Sequence, residues 1–521
     1  MIWTMASLRS SRNSLITFGL IVLGACWAYQ AAGAIVANDL STLAYPVIFF
    51  VGGAVVIAIL NDWRRGLYIF VGWILFEDLV RKYLGNHMGV YFAKDLLVLT
   101  LYVSFFRASL ARRGGTFRIP FRLSLSVFFW LALLQVLNPA STSLFYGILG
   151  MKLYFLYVPL IYIGYALIQS DEALQHFCSF VCVLILIVAG LGITQSIIGS
   201  DFLNPPHLQE DILQLSTLYR AAPISGLVAY RPTSVFVSAG RFQDFLLVAW
   251  SISLGFGGYL LLRSRRGRIL AFTTIGVVAA ASLMCASRGV LLWNCGTALL
   301  TATGFLWGAK WRPRGTVVVL RAIQRSALFV GVGILLLLTI FPQEFAARVA
   351  IYSETLLPSS PASELGFRAQ TYPLQELAHA FDFPAWPYGY GTGTTSLGIQ
   401  YVMRIMHAAP MRVGVESGFG NFVVELGILG LILWIVLGLS ISLSAWKVVT
   451  ELRGTPWFPL AFSIFLFACL LFFPMTYTSF SAYQDFVINS NFWLLMGILY
   501  RLQTFPKATQ IARDQTNPRQ A

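Results

Sequence analysis

Arg368, Arg404, His407, Arg412 and Glu416 fall within one polar stretch, Pro342 to Ser417, of a chain that is otherwise nearly continuous apolar sequence. Arginine is always charged and presents a planar fork of donors that fits phosphate oxygens, while glutamate and histidine can take a proton from a hydroxyl. Cations that absorb charge on a departing phosphate, combined with a base, are the parts needed to move a group from a phosphate ester onto a hydroxyl. The same stretch contains the turn Gly389-Tyr-Gly-Thr-Gly-Thr394, and Asn421, Glu425, Gly427 and Gly430 follow as the next apolar run begins. A connection this long, rich in aromatic residues such as Phe367, Tyr372, Phe381 and Trp386, is expected to be ordered and functional.

Further cations break the apolar pattern. Lys152 stands near the end of an apolar run with no acidic neighbour in sequence, so it either snorkels to the interface or meets an anion. Arg220, Arg231 and Arg241 lie in one loop, with Arg231 and Arg241 flanking Pro232-Thr-Ser-Val-Phe236, and such arginines can grip phosphate oxygens unless the Glu210-Asp211 pair neutralises one of them. Arg288 sits where two apolar runs meet with almost no connecting loop, and its charge requires water, an acid or an anion. In Glu77-Asp-Leu-Val-Arg-Lys82 the i,i+4 spacing predicts Glu77–Arg81 and Asp78–Lys82 pairs, with Lys94 beside Asp95.

The elements that must hold these residues are membrane helices. The 521 residues are 57% hydrophobic and only 11% charged, far below the charged share of soluble domains. About fourteen apolar runs approach the roughly 20 residues a bilayer crossing needs, beginning near Leu15, Thr42, Leu67, Tyr91, Phe121, Ile148, Phe177, Phe245, Ile269, Gly289, Ser326, Gly418, Phe458 and Phe486. Basic clusters at Arg9/Arg12, Arg64/Arg65, Arg107 to Arg122, Arg263 to Arg268, Lys310 to Arg325, Lys447/Arg453 and from Arg501 onward fall on alternate loops. That alternation predicts both termini in the cytoplasm and Pro342 to Ser417 outside, with the first span a retained anchor. Topology accounts for the net charge of +15, so nucleic acid is not an expected partner. The six cysteines fall inside apolar runs and read as packing residues. The scattered histidines and the absence of an Asp-x-Asp pattern predict no metal site and no cofactor. The fold class is therefore all-α and polytopic, a single membrane domain with one large extracytoplasmic loop at residues 342–417 containing short helices.

The glycine run follows Pro384 and Pro387 and not a strand, which is the wrong setting for a dinucleotide loop. It either brings backbone amides to a substrate or is a structural turn. Asn421 and Glu425 can cap and neutralise the start of the following helix.

Arg231-Pro-Thr-Ser-Val-Phe236, Ser287-Arg-Gly289, Arg368, Pro387-Tyr-Gly-Tyr-Gly-Thr-Gly393 and Glu416-Ser-Gly-Phe-Gly-Asn-Phe-Val-Val-Glu-Leu-Gly-Ile-Leu-Gly430, in this order over residues 231–430, resemble the O-antigen ligase and polysaccharide polymerase family of bacterial envelope glycosyltransferases. The resemblance implies a GT-C-like fold in the bacterial inner membrane. It also implies an undecaprenyl-diphosphate-linked glycan donor, a glycan or lipid A core acceptor, and other polysaccharide assembly and export proteins as partners. Polymerisation or ligation would take place on the outer face. Arg288, Arg368 and Glu416 then become catalytic candidates, and Arg231, Arg241, Lys152, Arg404, His407 and Arg412 substrate-binding candidates. Nine residues before Glu425, where the family commonly has a histidine, this chain has Glu416, with His407 nine residues earlier still. One of these two is the expected acceptor base.

A function of another class, translocation of a lipid-linked saccharide, also uses many spans and embedded cations. It predicts inverted sequence halves and charges within spans, whereas here no comparable halves are visible and the cations gather in outer loops. The topology is open to a direct test: a cysteine at Ser360 in an otherwise cysteine-free variant is expected to react with an impermeant maleimide in cells whose inner membrane is intact. Labelling only after that membrane is permeabilised would reverse the orientation.

Overall fold

The computed structural model describes residues 40–84, 88–111, 117–205, 218–263, 266–308, 338–399, 413–479 and 481–505, with a few isolated positions between. The expected first span near Leu15 and most of that near Ser326 lie outside these residues, as do Arg404, Arg412, Glu210 and Asp211. The main helices are α1 (Leu40–Asn61), α2 (Trp63–Tyr83), α3 (Met88–Ala111), α4 (Arg122–Gln135), α5 (Leu144–Phe155), α6 (Leu160–Leu167), α7 (Asp171–Ile198), α8 (Ala239–Leu262), α9 (Arg268–Met284), α10 (Arg288–Gly308), α11 (Pro342–Leu356), α12 (Tyr372–His379), α13 (Gly418–Glu451), α14 (Phe458–Leu470) and α15 (Phe486–Leu502). One small antiparallel hairpin interrupts them, β1 (Tyr219–Ala221) with β2 (Val228–Tyr230), Arg220 opposite Ala229.

Among the described residues seven helices are long and apolar enough to cross a membrane: Gly89–Leu110, Leu144–Leu167, Asp171–Ile198, Ala239–Leu262, Arg288–Gly308, Gly418–Glu451 and Phe458–Thr478. Four shorter apolar helices accompany them. Large apolar side chains stay uncovered along these helices, Leu299 and Leu443 each 67% exposed, as contact with lipid tails requires. This is the build of a multi-pass membrane protein.

Contacts divide the chain into Met1–Phe70 with Asp95–Arg113, and Val71–Lys94 with Gly114–Ala521. In the first unit Ser104 donates to the Ile59 carbonyl at 2.7 Å and Trp63 packs edge-on against Phe105. In the second, serine or aspartate caps recur at helix starts: Ser143 for α5, Ser170 for α7, Ser238 for α8, Ser417 for α13 and Asp485 for α15. Each accepts from one or two otherwise orphaned amides of the first turn.

Helix ends of the second unit gather in two groups. At one, Arg263 pairs with Asp171 (2.9 Å), Trp457 donates to the same carboxylate (2.8 Å), Arg501 donates to the Ile168 carbonyl (2.8 Å) and Gly454 to that of Gly308 (2.8 Å). At the other ends of α7, α9 and α10, Arg348 donates to the carbonyls of Ser196, Tyr230 and Met284, and Arg220 to that of Ala286. The loops with basic clusters near Arg263, Arg453 and Arg501 thus meet one another, away from Arg220 and Arg288.

The charges of α2 do not pair as their spacing suggested. Asp78 accepts both contacts of Arg241 (2.6 and 2.9 Å) and faces Arg81 at i,i+3 (3.4 Å). Glu77 pairs with Lys94 at 2.8 Å, and Lys82 donates to Thr233 Oγ1 (3.0 Å) and the Ser234 carbonyl (2.9 Å). All these side chains except Arg241 are almost wholly buried, and buried charges take the partners that surround them most completely, which here belong to other segments.

Glycine allows one close approach that the packing requires. Cβ atoms on Gly164 of α6 and Gly497 of α15 would collide with the carbonyl oxygens of Leu494 and Ile161, each on the opposite helix. Gly164→Val is therefore expected to lower stability by at least about 1–3 kcal/mol. Thermal unfolding of detergent-purified protein checks this, and a near-neutral result would show that the two helices can move apart freely.

Candidate functional site

The site rests on a break in α13. Gly427 has φ +73° inside an otherwise helical run, a conformation that glycine alone adopts at little cost. Carbonyls near the break then accept from outside the helix: Tyr390 N–H donates to Val424 O (2.8 Å) and Gly391 N–H to Glu425 O (2.9 Å). Gly389, with φ +82°, lies so close to Glu425 and Gly427 that a side chain there would strike their backbone.

The Glu425 carboxylate completes the arrangement. It is fully buried and accepts from the amides of Gly393 (2.8 Å) and Thr395 (2.9 Å), the hydroxyls of Thr395 (2.7 Å) and Ser396 (3.2 Å), and the hydroxyl of Tyr154. The remaining amides of the turn are also engaged, Gly389 with Ala385 O, Thr392 with Gln135 O and Thr394 with Gly391 O. Every amide from Gly389 to Thr395 therefore has an internal acceptor, and of the two readings of the glycine run the structural turn is the one this geometry fits. Glu425 and Asn421 are not helix caps either. Ser417 caps α13, Asn421 accepts from Val415 N–H (3.5 Å), and Glu425 lies two turns inside the helix.

The turn and α12 flank an open cleft of about 420 Å³ lined by Tyr372, Glu376, Thr394, Thr395, Glu416 and Asn421 among others. Glu416 is exposed, its amide donating to the Glu376 carboxylate at 2.8 Å. The Tyr372 hydroxyl is hydrogen bonded to the Glu416 carboxylate, which holds its pKa above the ordinary tyrosine value. The cleft thus offers carboxylates and hydroxyls, groups suited to the hydroxyls of an acceptor.

Arginines gather next to it. Arg368 lies over the Tyr372 ring, its guanidinium carbon 4.8 Å from the centroid, and contacts the Glu364 carboxylate at 3.4 Å. Arg288, with only 16% of its side chain exposed, pairs with that same carboxylate at 2.8 Å. Arg288→Glu364→Arg368→Tyr372→Glu416 is therefore one continuous series of contacts. Arg368 is held on a π-helical turn, Phe367–Thr371, whose wider spacing accommodates Pro373 and its missing N–H.

Arg220 and Arg231 belong to the same cluster. Burial first, then the charges of Arg288 and Arg231, lower the Arg220 pKa to about 10, so it remains a cation at neutral pH. Burial likewise lowers that of Arg231, with Arg288 adding to the effect. Burial raises the Glu364 pKa, but Arg288 and Arg368 outweigh it and hold the carboxyl below its usual range, so it stays ionised through neutral pH. The turn leading into Arg288 is tight: Ala286 has φ +51°, and its carbonyl accepts from Arg220 (3.1 Å).

Other expected binding residues have surroundings of their own. Arg241 is engaged by Asp78 and, at 3.6 Å, by Asp485, so its charge is already matched within the protein. Lys152 Nζ sits over the rings of Tyr91 (4.7 Å) and Phe92 (4.9 Å). His407 is exposed with φ +48°. Among the described residues no three His, Cys, Asp or Glu side chains are grouped to hold a metal ion.

Two parts of the site carried little sequence signal. Glu364 is legible from spacing only as an i,i+4 partner of Arg368, since its contact with Arg288 spans 76 positions. Arg348, 2% exposed and donating to four backbone carbonyls, fastens α11 beneath the cluster, and only its i,i+4 relation to Glu344 is visible in sequence. The chain matches no family model and no curated protein.

Glu425→Ala would leave the Gly393 and Thr395 amides and the Tyr154 hydroxyl buried without this acceptor, at about 1–3 kcal/mol for each group. A loss well above the roughly 1 kcal/mol of a removed helix cap is expected, together with new protease cleavage within residues 389–396. Thermal unfolding and limited proteolysis read both, and a loss confined to the cap value would show that the turn holds without Glu425.

Proposed function

We propose that this chain is an inner-membrane glycosyltransferase that polymerises or ligates undecaprenyl-diphosphate-linked oligosaccharide on the outer side of the membrane. The observation that carries the reading is the contact series from Arg288 through Glu364, Arg368 and Tyr372 to Glu416. It sets a cluster of cations beside a cleft with a carboxylate base, as transfer from a diphosphate to a hydroxyl requires. The acceptor oxygen attacks the anomeric carbon as the bond from that carbon to the diphosphate oxygen breaks. Glu416 takes the acceptor proton, and Arg288 and Arg368, assisted by Arg220 and Arg231, stabilise the charge on the departing lipid diphosphate. The gathering of basic loops at the helix ends away from Arg220 and Arg288 supports a cytoplasmic location for those loops and, with it, an outer location for the arginine cluster.

With purified protein and a lipid-diphosphate-linked oligosaccharide, Arg288→Ala and Arg368→Ala are each expected to lower turnover about 100- to 1,000-fold. Because both would act on one diphosphate, the double variant should be scarcely worse than either single. Independent, multiplicative losses would reject the shared clamp. Glu416→Gln keeps size and removes basicity, so turnover should fall by about 100-fold or more while donor still binds. Full activity in that variant would move the base to another residue.

A further inference from the structure

One carboxylate, that of Glu364, bridges the two arginines that would stabilise the departing diphosphate. It enters the cluster from a solvent-facing connection: α11 ends at Leu356, turns follow, and the Glu364 amide is tied back to the Thr355 carbonyl at 3.0 Å. The side chain is 41% exposed, so it can swing into water at little cost, while Arg288 beneath it is 16% exposed. Arg288 is further confined by its place at the first turn of α10, two residues after the strained Ala286. Arg288 is thus the fixed part of this cluster, while Glu364 and Arg368, 41% and 52% exposed, are its movable parts.

Resting on the reading of this cluster as the phosphate seat, we propose that Glu364 determines its specificity by acting as the seat's resident anion, so that only a ligand with two adjacent phosphoryl groups displaces it. A single phosphoryl group must trade one negatively charged partner of Arg288 and Arg368 for another and gains little. A diphosphate spans the pair, reaches Arg220 and Arg231 as well, and supplies more charge than the carboxylate it replaces. In the absence of ligand the carboxylate also offsets repulsion within the cluster: after burial, the charges of Arg288 and Arg231 lower the Arg220 pKa, and Glu364 raises it.

The test compares binding of inorganic pyrophosphate and of orthophosphate to detergent-purified full-length protein, wild type and Glu364→Gln, by calorimetry at low ionic strength. Wild type is expected to favour pyrophosphate strongly. In Glu364→Gln orthophosphate should gain about two- to fivefold, the order of one exposed ion pair, and the pyrophosphate-to-orthophosphate ratio should fall. The Tm of the ligand-free variant should drop and recover when either anion is added, a response that a merely structural surface pair would not produce. An unchanged ratio, or weaker binding of both anions in Glu364→Gln, overturns the role of Glu364. Arg288→Ala separates this from the underlying reading: if pyrophosphate binding is absent from all variants or indifferent to Arg288→Ala, the phosphate seat fails and the specificity role with it. If binding depends on Arg288 while the ratio stays unchanged, the role of Glu364 alone fails.

Discussion

The architecture around the cleft depends on one interrupted helix. A membrane helix normally satisfies its own backbone, and irregular backbone at its end is tolerated only where other protein groups meet the freed donors and acceptors. In α13 the left-handed Gly427 creates that need, and the turn from Gly389 to Thr395 meets it, with two amides on helix carbonyls and two on the Glu425 carboxylate. Because the same turn contacts Gln135 at the end of α4 and Tyr154 of α5 shares Glu425, the interruption fastens three separate parts of the chain together. Threonines of this turn form one wall of the cleft and α12 another, so the position of the wall follows from the backbone accounting of α13.

Charge follows a similar logic. Deep in the protein the cost of removing an ion from water is several kcal/mol, and a single contact at helical spacing does not cover it. Asp78 therefore collects two arginines and the Val237 amide, and Lys82 turns to a hydroxyl and a carbonyl of the Thr233–Ser234 segment. These contacts hold the segment after Arg231 against α2, which fixes where Arg231 can lie. Arg348 meets the same need with four backbone carbonyls and the Glu344 carboxylate. Arg288 and Arg368 differ from all of these, because their shared partner is half exposed and sits on a connection between helices. Compared with these enclosed charges, a pair of arginines held by one half-exposed carboxylate can more readily exchange its partner for a ligand.

Much of this protein is determined by its sequence alone. The low charge content and long apolar runs dictate a multi-pass helical membrane protein, because backbone polar groups in lipid must be paired within the segment. Local contacts follow as well: serines and an aspartate cap the helices that begin just after them, and Glu364 meets Arg368 at i,i+4. These are short-range matters, set by residues within a turn or two of one another. What only the tertiary structure decided was partnership over long range: Glu77 with Lys94 and not Arg81, Arg241 with Asp78, Arg288 with Glu364, and the closure of the glycine turn onto α13. Sequence spacing cannot anticipate such choices, because each depends on which groups arrive together when helices pack and on how completely the winner can replace the water that folding removes.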